Sequence, residues 1–144
     1  MEIKMIKPED TYELRHTILR PNQSIEDCQY PGDDEKDSFH VGAYMKGKLV
    51  SIASFYKETH PNFNEENQFR LRGMATLAEF RGQNAGSALI RFAEKFMKKQ
   101  SADLWWCNAR VSVSAYYKKL SLQEKGGIFT IEPIGPHKLM YKKL

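Results

Sequence analysis

Two short stretches of this chain carry residue types that could do chemistry together. The first is Arg81-Gly-Gln-Asn-Ala-Gly-Ser87. It follows a strand-like run, Arg70-Leu-Arg-Gly-Met-Ala-Thr76, and leads directly into an amphipathic helix. Glycines in such a loop leave main-chain N–H groups open to an anion, and the helix N-terminus adds the positive end of its dipole. A strand, a glycine loop and a helix in that order make a phosphate cradle. The second stretch joins Trp106-Cys-Asn-Ala-Arg110 to Ala115-Tyr-Tyr-Lys-Lys-Leu120. It sets an amide, a guanidinium and two phenols at a strand end and on the helix that follows.

The elements needed to position these residues are legible in order. Residues 2–6 alternate apolar and charged and predict a strand. Pro8 opens a helix with Tyr12, Leu14 and Ile18 on its apolar side; it ends before Pro21, because a residue preceding proline avoids the helical region. Residues 22–37 are polar and irregular, with acids from Asp33 to Asp37, and read as a loop with room for one helical turn. Phe39–Met45 and Leu49–Lys57 predict a hairpin around Lys46-Gly47-Lys48. A longer strand follows from Gln68 to Ala78.

The next helix has its apolar face at Ala85, Ala88, Leu89, Phe92, Ala93, Phe96 and Met97. Arg91, Glu94, Lys95, Lys98 and Lys99 fall on the other face. Asp103–Asn108 reads as a buried strand, with Trp105 and Trp106 as packing residues. Ser112 is the expected N-cap of a short helix reaching Leu120. Strands near 123–131 and 138–143 close the chain, linked through Pro133 to Pro136. Strand–helix–strand–strand–strand–helix–strand–helix–strand–strand implies an α/β protein with a mixed sheet and helices packed on it.

Composition narrows the function classes. The chain has 144 residues, with no internal repeat and no linker, which fits a single domain over residues 1–144. Its hydrophobic content of 41% and charged content of 28% are those of an ordinary globular protein. Cys28 and Cys107 make no disulfide framework, and no CxxC or Cys/His cluster suggests a metal. A charged N-terminus is unlike a signal peptide, and no apolar run matches the ~20 residues of a membrane span. The expected setting is therefore cytoplasmic. The net charge of +4 admits nucleic acid as a partner, but no basic stripe interleaved with aromatics is present, and acids alternate with the lysines. A local positive field for a phosphorylated small molecule is the more economical reading.

Taken together, the two stretches resemble the GNAT superfamily of acetyl-CoA-dependent N-acetyltransferases. That family's loop pattern, Arg/Gln-x-x-Gly-x-Gly/Ala, reads here Arg81-Gly-Gln-Asn84-Ala-Gly86. Its downstream signature, Asn-Ala-Arg and then Phe-Tyr-x-Lys-Leu-Gly-Phe, is matched by Asn108-Ala-Arg110 and Tyr116-Tyr-Lys-Lys-Leu120-Ser-Leu122. The tail Ile134-Gly-Pro-His137-Lys-Leu-Met140 is similar to a closing strand of the family. The match is good over residues 39–144 and loose over the first 38. Asn84 departs from the first loop glycine, and Ser121-Leu122 from Gly-Phe. Asparagine is the non-glycine residue that best tolerates a left-handed backbone.

The resemblance implies a GNAT fold, a mostly antiparallel sheet of about seven strands flanked by helices. It implies acetyl-CoA as cosubstrate, with the main chain of Met74, Ala75 and Thr76 along the pantetheine arm. The N–H groups of Arg81, Gly82, Gln83, Asn84, Ala85, Gly86 and Ser87 would hold the pyrophosphate. Hydrogen bonds to charged groups contribute roughly 1.5–3 kcal/mol each, so a few support micromolar binding. Asn108 would position cofactor or a bridging water, and Arg81 and Arg91 could add charge.

Tyr117 aligns with the tyrosine that protonates the departing CoA thiolate; a phenol of pKa about 10 stays protonated beside a thiol of pKa about 8.5. For the base that deprotonates the amine, Glu79, His40, His137 and a water chain stay open. The resemblance implies a primary amine on a small molecule or peptide as the acceptor. Arg70 and Arg72 share a strand face and offer contacts to an acidic acceptor or to solvent. A CoA-binding module without turnover is the alternative function, and exposed final strands offer pairing into a homodimer.

Overall fold

A computed structural model describes residues Met1–Leu144. Seven strands form one sheet: β1 Glu2–Ile6, β2 Phe39–Met45, β3 Lys48–Lys57, β4 Gln68–Thr76, β5 Leu104–Arg110, β6 Gln123–Ile131 and β7 Gly135–Lys143. Their order is β1-β2-β3-β4-β5-β7-β6. Every neighbouring pair is antiparallel except β4 and β5, which run parallel. Three helical segments complete the fold: α1 over residues 8–19, α2 Ala85–Lys99 and α3 Ser114–Lys119.

The sheet alternates its side chains between two coverings, as the period of two requires. Ala53 and Phe55 of β3, with Val41, Leu71 and Trp105, join Leu89, Ala93 and Met97 of α2 in the main core. Each fully buried aliphatic side chain there stabilises the fold by about 1.5–3 kcal/mol. Ile52, next to Ala53 in sequence, faces the other way and packs with Leu14 of α1 and Ala75 of β4.

The α2 stripe is shifted from the expected one. Ile90 and Glu94 are buried along with Leu89, Ala93 and Met97, whereas Ala88, Phe92 and Phe96 flank the stripe. Glu94, expected on the solvent face, lies one turn beyond Ile90 and is covered. Its carboxylate accepts the Trp105 indole N–H at 2.8 Å and pairs with Lys142 at 3.0 Å.

Three further boundaries move. Strand β4 ends at Thr76, and Ala78–Phe80 instead form a single tight turn. Ser112 is not a helix cap: Val111–Val113 make a turn of their own, and α3 starts at Ser114, whose hydroxyl donates to the Val111 carbonyl at 2.9 Å. Strand β7 starts at Gly135, inside the expected linker.

Two features shape the middle of the sheet. Pairing between β4 and β5 covers only Gln68–Arg70 against Leu104–Trp106, although β4 runs on to Thr76 and β5 to Arg110. Beyond Arg70 the two strands part. The register against β3 also slips between Ile52 and Ser54, which face Ala75 and Arg72. That leaves an extra residue in β4 at Gly73, whose φ of +66° is the left-handed value glycine accepts freely. A bulge of this kind bends and twists its strand, which turns β4 away from β5.

Candidate active site

Where β4 leaves β5, the main chain of Met74–Thr76 has no strand partner on that side. The loop after it ends in the expected cradle. Gly82 and Asn84 take left-handed conformations, φ +78° and +65°, and Asn84 becomes the N-cap residue of α2. The first hydrogen bond of the helix runs from Ala88 N–H to the Asn84 carbonyl at 3.0 Å. No N–H from Gly82 to Ser87 has an acceptor within the protein. These are six consecutive donors, and the last four, from Asn84 to Ser87, are the orphan N–H groups that every α-helix start carries. The loop is braced from outside: Arg81 Nε and Gln83 Nε2 donate to the carbonyls of Thr76 and Glu79, each at 3.4 Å.

Gly86 has a packing reason to be glycine. A Cβ there would overlap the Tyr116 hydroxyl and stand 3.0 Å from the Met74 methyl. Helix α3 is therefore in direct contact with the start of α2. Its two tyrosines meet edge to face, with ring centres 5.5 Å apart. Tyr116 reaches the cradle, while Tyr117 packs onto the main core beside Cys107. Burial pushes the Tyr117 phenol well above its ordinary value, and the neighbouring Cys107 and Tyr116 add to the shift. Burial likewise pushes the Cys107 thiol up to about 12, so it is an unreactive thiol at neutral pH.

Asn108 stands on β5 two residues beyond the last pairing with β4. Its side-chain oxygen is buried with no donor in the protein. Such an orphan is uncommon and calls for a partner from outside the chain. The unengaged donors of residues 82–87 and this orphaned acceptor both fit a phosphorylated ligand with an amide-bearing arm.

The base candidates separate on geometry. His40 is buried with both ring nitrogens engaged, Nδ1 with Ser54 Oγ at 2.7 Å and Nε2 with the Asp33 carbonyl at 3.1 Å. Burial holds its pKa below the ordinary 6.5. It belongs to a structural network. His137 is also buried on β7, with Nδ1 on the Gly135 carbonyl at 2.8 Å. Glu79 is exposed in the turn after β4. Arg91 is exposed on the outer face of α2, away from the core stripe.

The centre that sequence reasoning missed is Arg15. It is wholly buried where α1 widens into a π-helical turn over Arg15–Leu19. Its guanidinium donates to Asp33 at 2.7 and 3.1 Å, to the Cys28 carbonyl at 2.8 Å, and to Ser54 and Tyr56 hydroxyls at 2.8 and 3.2 Å. Asp33 also accepts the Tyr56 hydroxyl at 2.5 Å and the Tyr30 N–H at 2.9 Å. Burial alone would raise the Asp33 carboxyl, but these donors hold it below the usual carboxylate range. The acid run therefore is not simply a solvated loop: Asp33 ties residues 22–37 to the sheet, and Cys28 is sealed beneath. An arginine one residue after Leu14, inside an otherwise apolar helical face, was the available signal.

The strand order, the parted β4 and β5 and the cradle at the start of α2 define an acyltransferase frame. The sequence model of the Acetyltransferase (GNAT) family matches residues 7–121, and the chain belongs to that family. It is an N-acetyltransferase. It is 50% identical, over all of its length and 97% of the relative's, to the uncharacterized N-acetyltransferase YitI of Bacillus subtilis (strain 168). Among solved structures it is similar to a ribosomal-protein-alanine N-acetyltransferase from Brucella melitensis, with a TM-score of 0.78, 14% identity and full coverage of both chains. It is also similar to an aminoglycoside 6'-N-acetyltransferase complexed with coenzyme A, at TM-score 0.75 and 13% identity over 99% of this chain and 97% of that one. Those two likenesses establish the fold. No helix is long and apolar enough to cross a membrane.

Proposed function

We propose that the gap between β4 and β5 takes acetyl-CoA and that the enzyme moves its acetyl group to a primary amine by direct attack in a ternary complex. The observation that carries this is the run of acceptorless N–H groups from Gly82 to Ser87, set beside the unpaired edge of Met74–Thr76. When bound, acetyl-CoA supplies an activated thioester whose sulfur departs as the nitrogen–carbon bond forms. The N–H groups from Gly82 through Ser87 hold the pyrophosphate; the Arg81 N–H, expected among them, is instead spent on the Ala78 carbonyl at 3.3 Å, so Arg81 adds only positive charge. The main chain of Met74, Ala75 and Thr76 aligns the pantetheine arm. Asn108 directs its unpartnered oxygen to an amide of that arm or to a bridging water.

Tyr117 is the proton donor to the departing thiolate. Its pKa, raised by burial, keeps the phenol protonated at neutral pH. With both nitrogens of His40 engaged, the amine's proton leaves through water, His137 or Glu79.

Tyr117→Phe tests the assignment. A general acid contributes about 10²–10⁴ in rate, so kcat should fall at least that far while acetyl-CoA affinity and melting temperature hold. A full loss in Tyr116→Phe instead, with Tyr117→Phe active, would move the acid to the neighbouring residue, whose hydroxyl already stands at Gly86.

The same reading takes residues 1–144 as one acetyltransferase domain, supported by a sheet hydrogen-bonded without interruption from β1 to β6. It places the enzyme in the cytoplasm, where the unpaired Cys28 and Cys107 are at home. A homodimer through β6 is supported by that strand's position at the sheet edge and by the exposure of Ile128 and Phe129.

A further inference from the structure

Arg72 is a half-buried cation with no anion. It makes no hydrogen bond or ion pair within the protein, unlike Arg70, whose Nη1 pairs with Glu58 at 3.0 Å. What surrounds Arg72 is aromatic: its guanidinium carbon lies 5.1 Å from the ring centre of Tyr30 and 5.9 Å from that of Tyr56. Burial and the like charge of Arg70 both pull its pKa below the ordinary arginine value. A guanidinium taken partly out of water, beside another cation, with its donors unspent, is arranged to receive an anion.

Its place in the fold says which anion. Arg72 stands two residues beyond the last β4 residue paired with β5, and one before the bulge at Gly73. It lies on the sheet face opposite α2, alongside Ser54 and Tyr56 of β3, on the stretch of β4 beyond its pairing with β5. There it forms part of the wall of a half-open cavity of about 390 Å³ that residues of the 31–38 loop also line. At the rim Lys36 and Lys57 balance Glu35 and Asp37, while Glu58 is occupied by Arg70. Arg72 is thus the inner, uncompensated charge.

The geometry points to Arg72 as the group that binds a carboxylate of the acceptor, so that the acetylated amine is a small molecule that also carries a carboxylate. This rests on the reading that the β4–β5 gap holds acetyl-CoA. The planar fork of a guanidinium matches the two oxygens of a carboxylate, and Tyr30 and Tyr56 flank it. Both tyrosines are held in turn by Asp33, through the Tyr30 N–H and the Tyr56 hydroxyl. The buried Arg15–Asp33 pair therefore sets the frame in which Arg72 works.

Matched amines test this. Thiol release from acetyl-CoA is measured with β-alanine against ethylamine, 4-aminobutyrate against propylamine, and L-lysine against cadaverine. At least one carboxylated member should exceed its partner tenfold or more in kcat/KM. Arg72→Gln should bring that pair level, raising KM tenfold with kcat little changed and acetyl-CoA affinity untouched; Arg72→Lys should restore part of the preference. Equal use of both members by the unmodified enzyme, or a preference that survives in Arg72→Gln, overturns the assignment. Should no amine in the panel turn over, the Arg72 guanidinium NMR signals of the acetyl-CoA-loaded protein are followed during titration with the same carboxylates. Saturable shifts support the site, and their absence overturns it. Failure of the unmodified protein to bind acetyl-CoA would overturn the gap assignment first, and this one with it.

Discussion

The two polar regions on either side of β4 differ in how completely their groups are satisfied. Around Arg15 and Asp33 nearly every donor and acceptor has a partner inside the protein, and the pair is wholly out of water. Around the 82–87 loop the donors have no partner, and Asn108 across the gap has none either. The first arrangement consumes its hydrogen-bonding capacity in folding, so it stabilises and positions. The second withholds that capacity, which is what a binding site must do. Polarity alone would not separate them; partner lists do.

The comparison breaks most visibly at Arg15. Removing one member of a buried ion pair leaves the other uncompensated, at a cost of about 3–5 kcal/mol. Arg15→Ala should therefore destabilise the protein by that amount in urea unfolding, close to the whole stability of a small domain. The double variant Arg15→Met, Asp33→Leu should recover much of the loss, because no lone charge remains. A single variant within 1 kcal/mol of the parent would show that water enters the site and that the network is not a structural anchor.

The cradle should respond in the opposite way, losing ligand before it loses stability. In Gly86→Ala the new methyl meets the Tyr116 hydroxyl and the Met74 methyl, whereas the Tyr116 ring carbon behind the hydroxyl is 3.4 Å away, an ordinary contact. The clash pushes α3 away from the start of α2. Calorimetric titration should show acetyl-CoA affinity down tenfold or more, equivalent to about 1.4 kcal/mol. Adding Tyr116→Phe should return much of it, since the obstructing oxygen is gone. No recovery would mean that the loss comes from the helix start itself and that the α2–α3 contact is incidental.

How much of this was readable beforehand follows the same division. Local patterns reported themselves: the α2 periodicity, the Lys46-Gly47-Lys48 turn, and the left-handed Asn84 in the loop. So did the two ordered motifs that mark the family. What escaped depends on long-range geometry. Arg15 pairs with Asp33 across a loop and with Ser54 across a sheet, and no periodicity announces a cation that will be buried by partners so far along the chain. Glu94 looked solvated because its partners, Trp105 and Lys142, come from strands not adjacent in sequence. Arg72 read as one of two equivalent arginines on a strand face. The structure separates them: Arg70 is spent on Glu58 and sits in the β4–β5 pairing, whereas Arg72 lies beyond it between Tyr30 and Tyr56.

Asn84 offers the smallest effect and the sharpest test of loop shape. It stands where the family pattern has glycine, at φ +65° and ψ +16°, and its side chain makes no capping bond. A left-handed conformation costs an ordinary L-residue about 1–2 kcal/mol, and asparagine and glycine less. If the cradle depends on backbone angles alone, Asn84→Gly should leave acetyl-CoA affinity within about twofold, while Asn84→Ala should weaken stability by about 1 kcal/mol. If the asparagine side chain instead crowds the pyrophosphate, both variants should bind more tightly than the parent. Titration of the three proteins side by side separates these outcomes, because only crowding predicts a gain in the alanine variant despite its strained backbone.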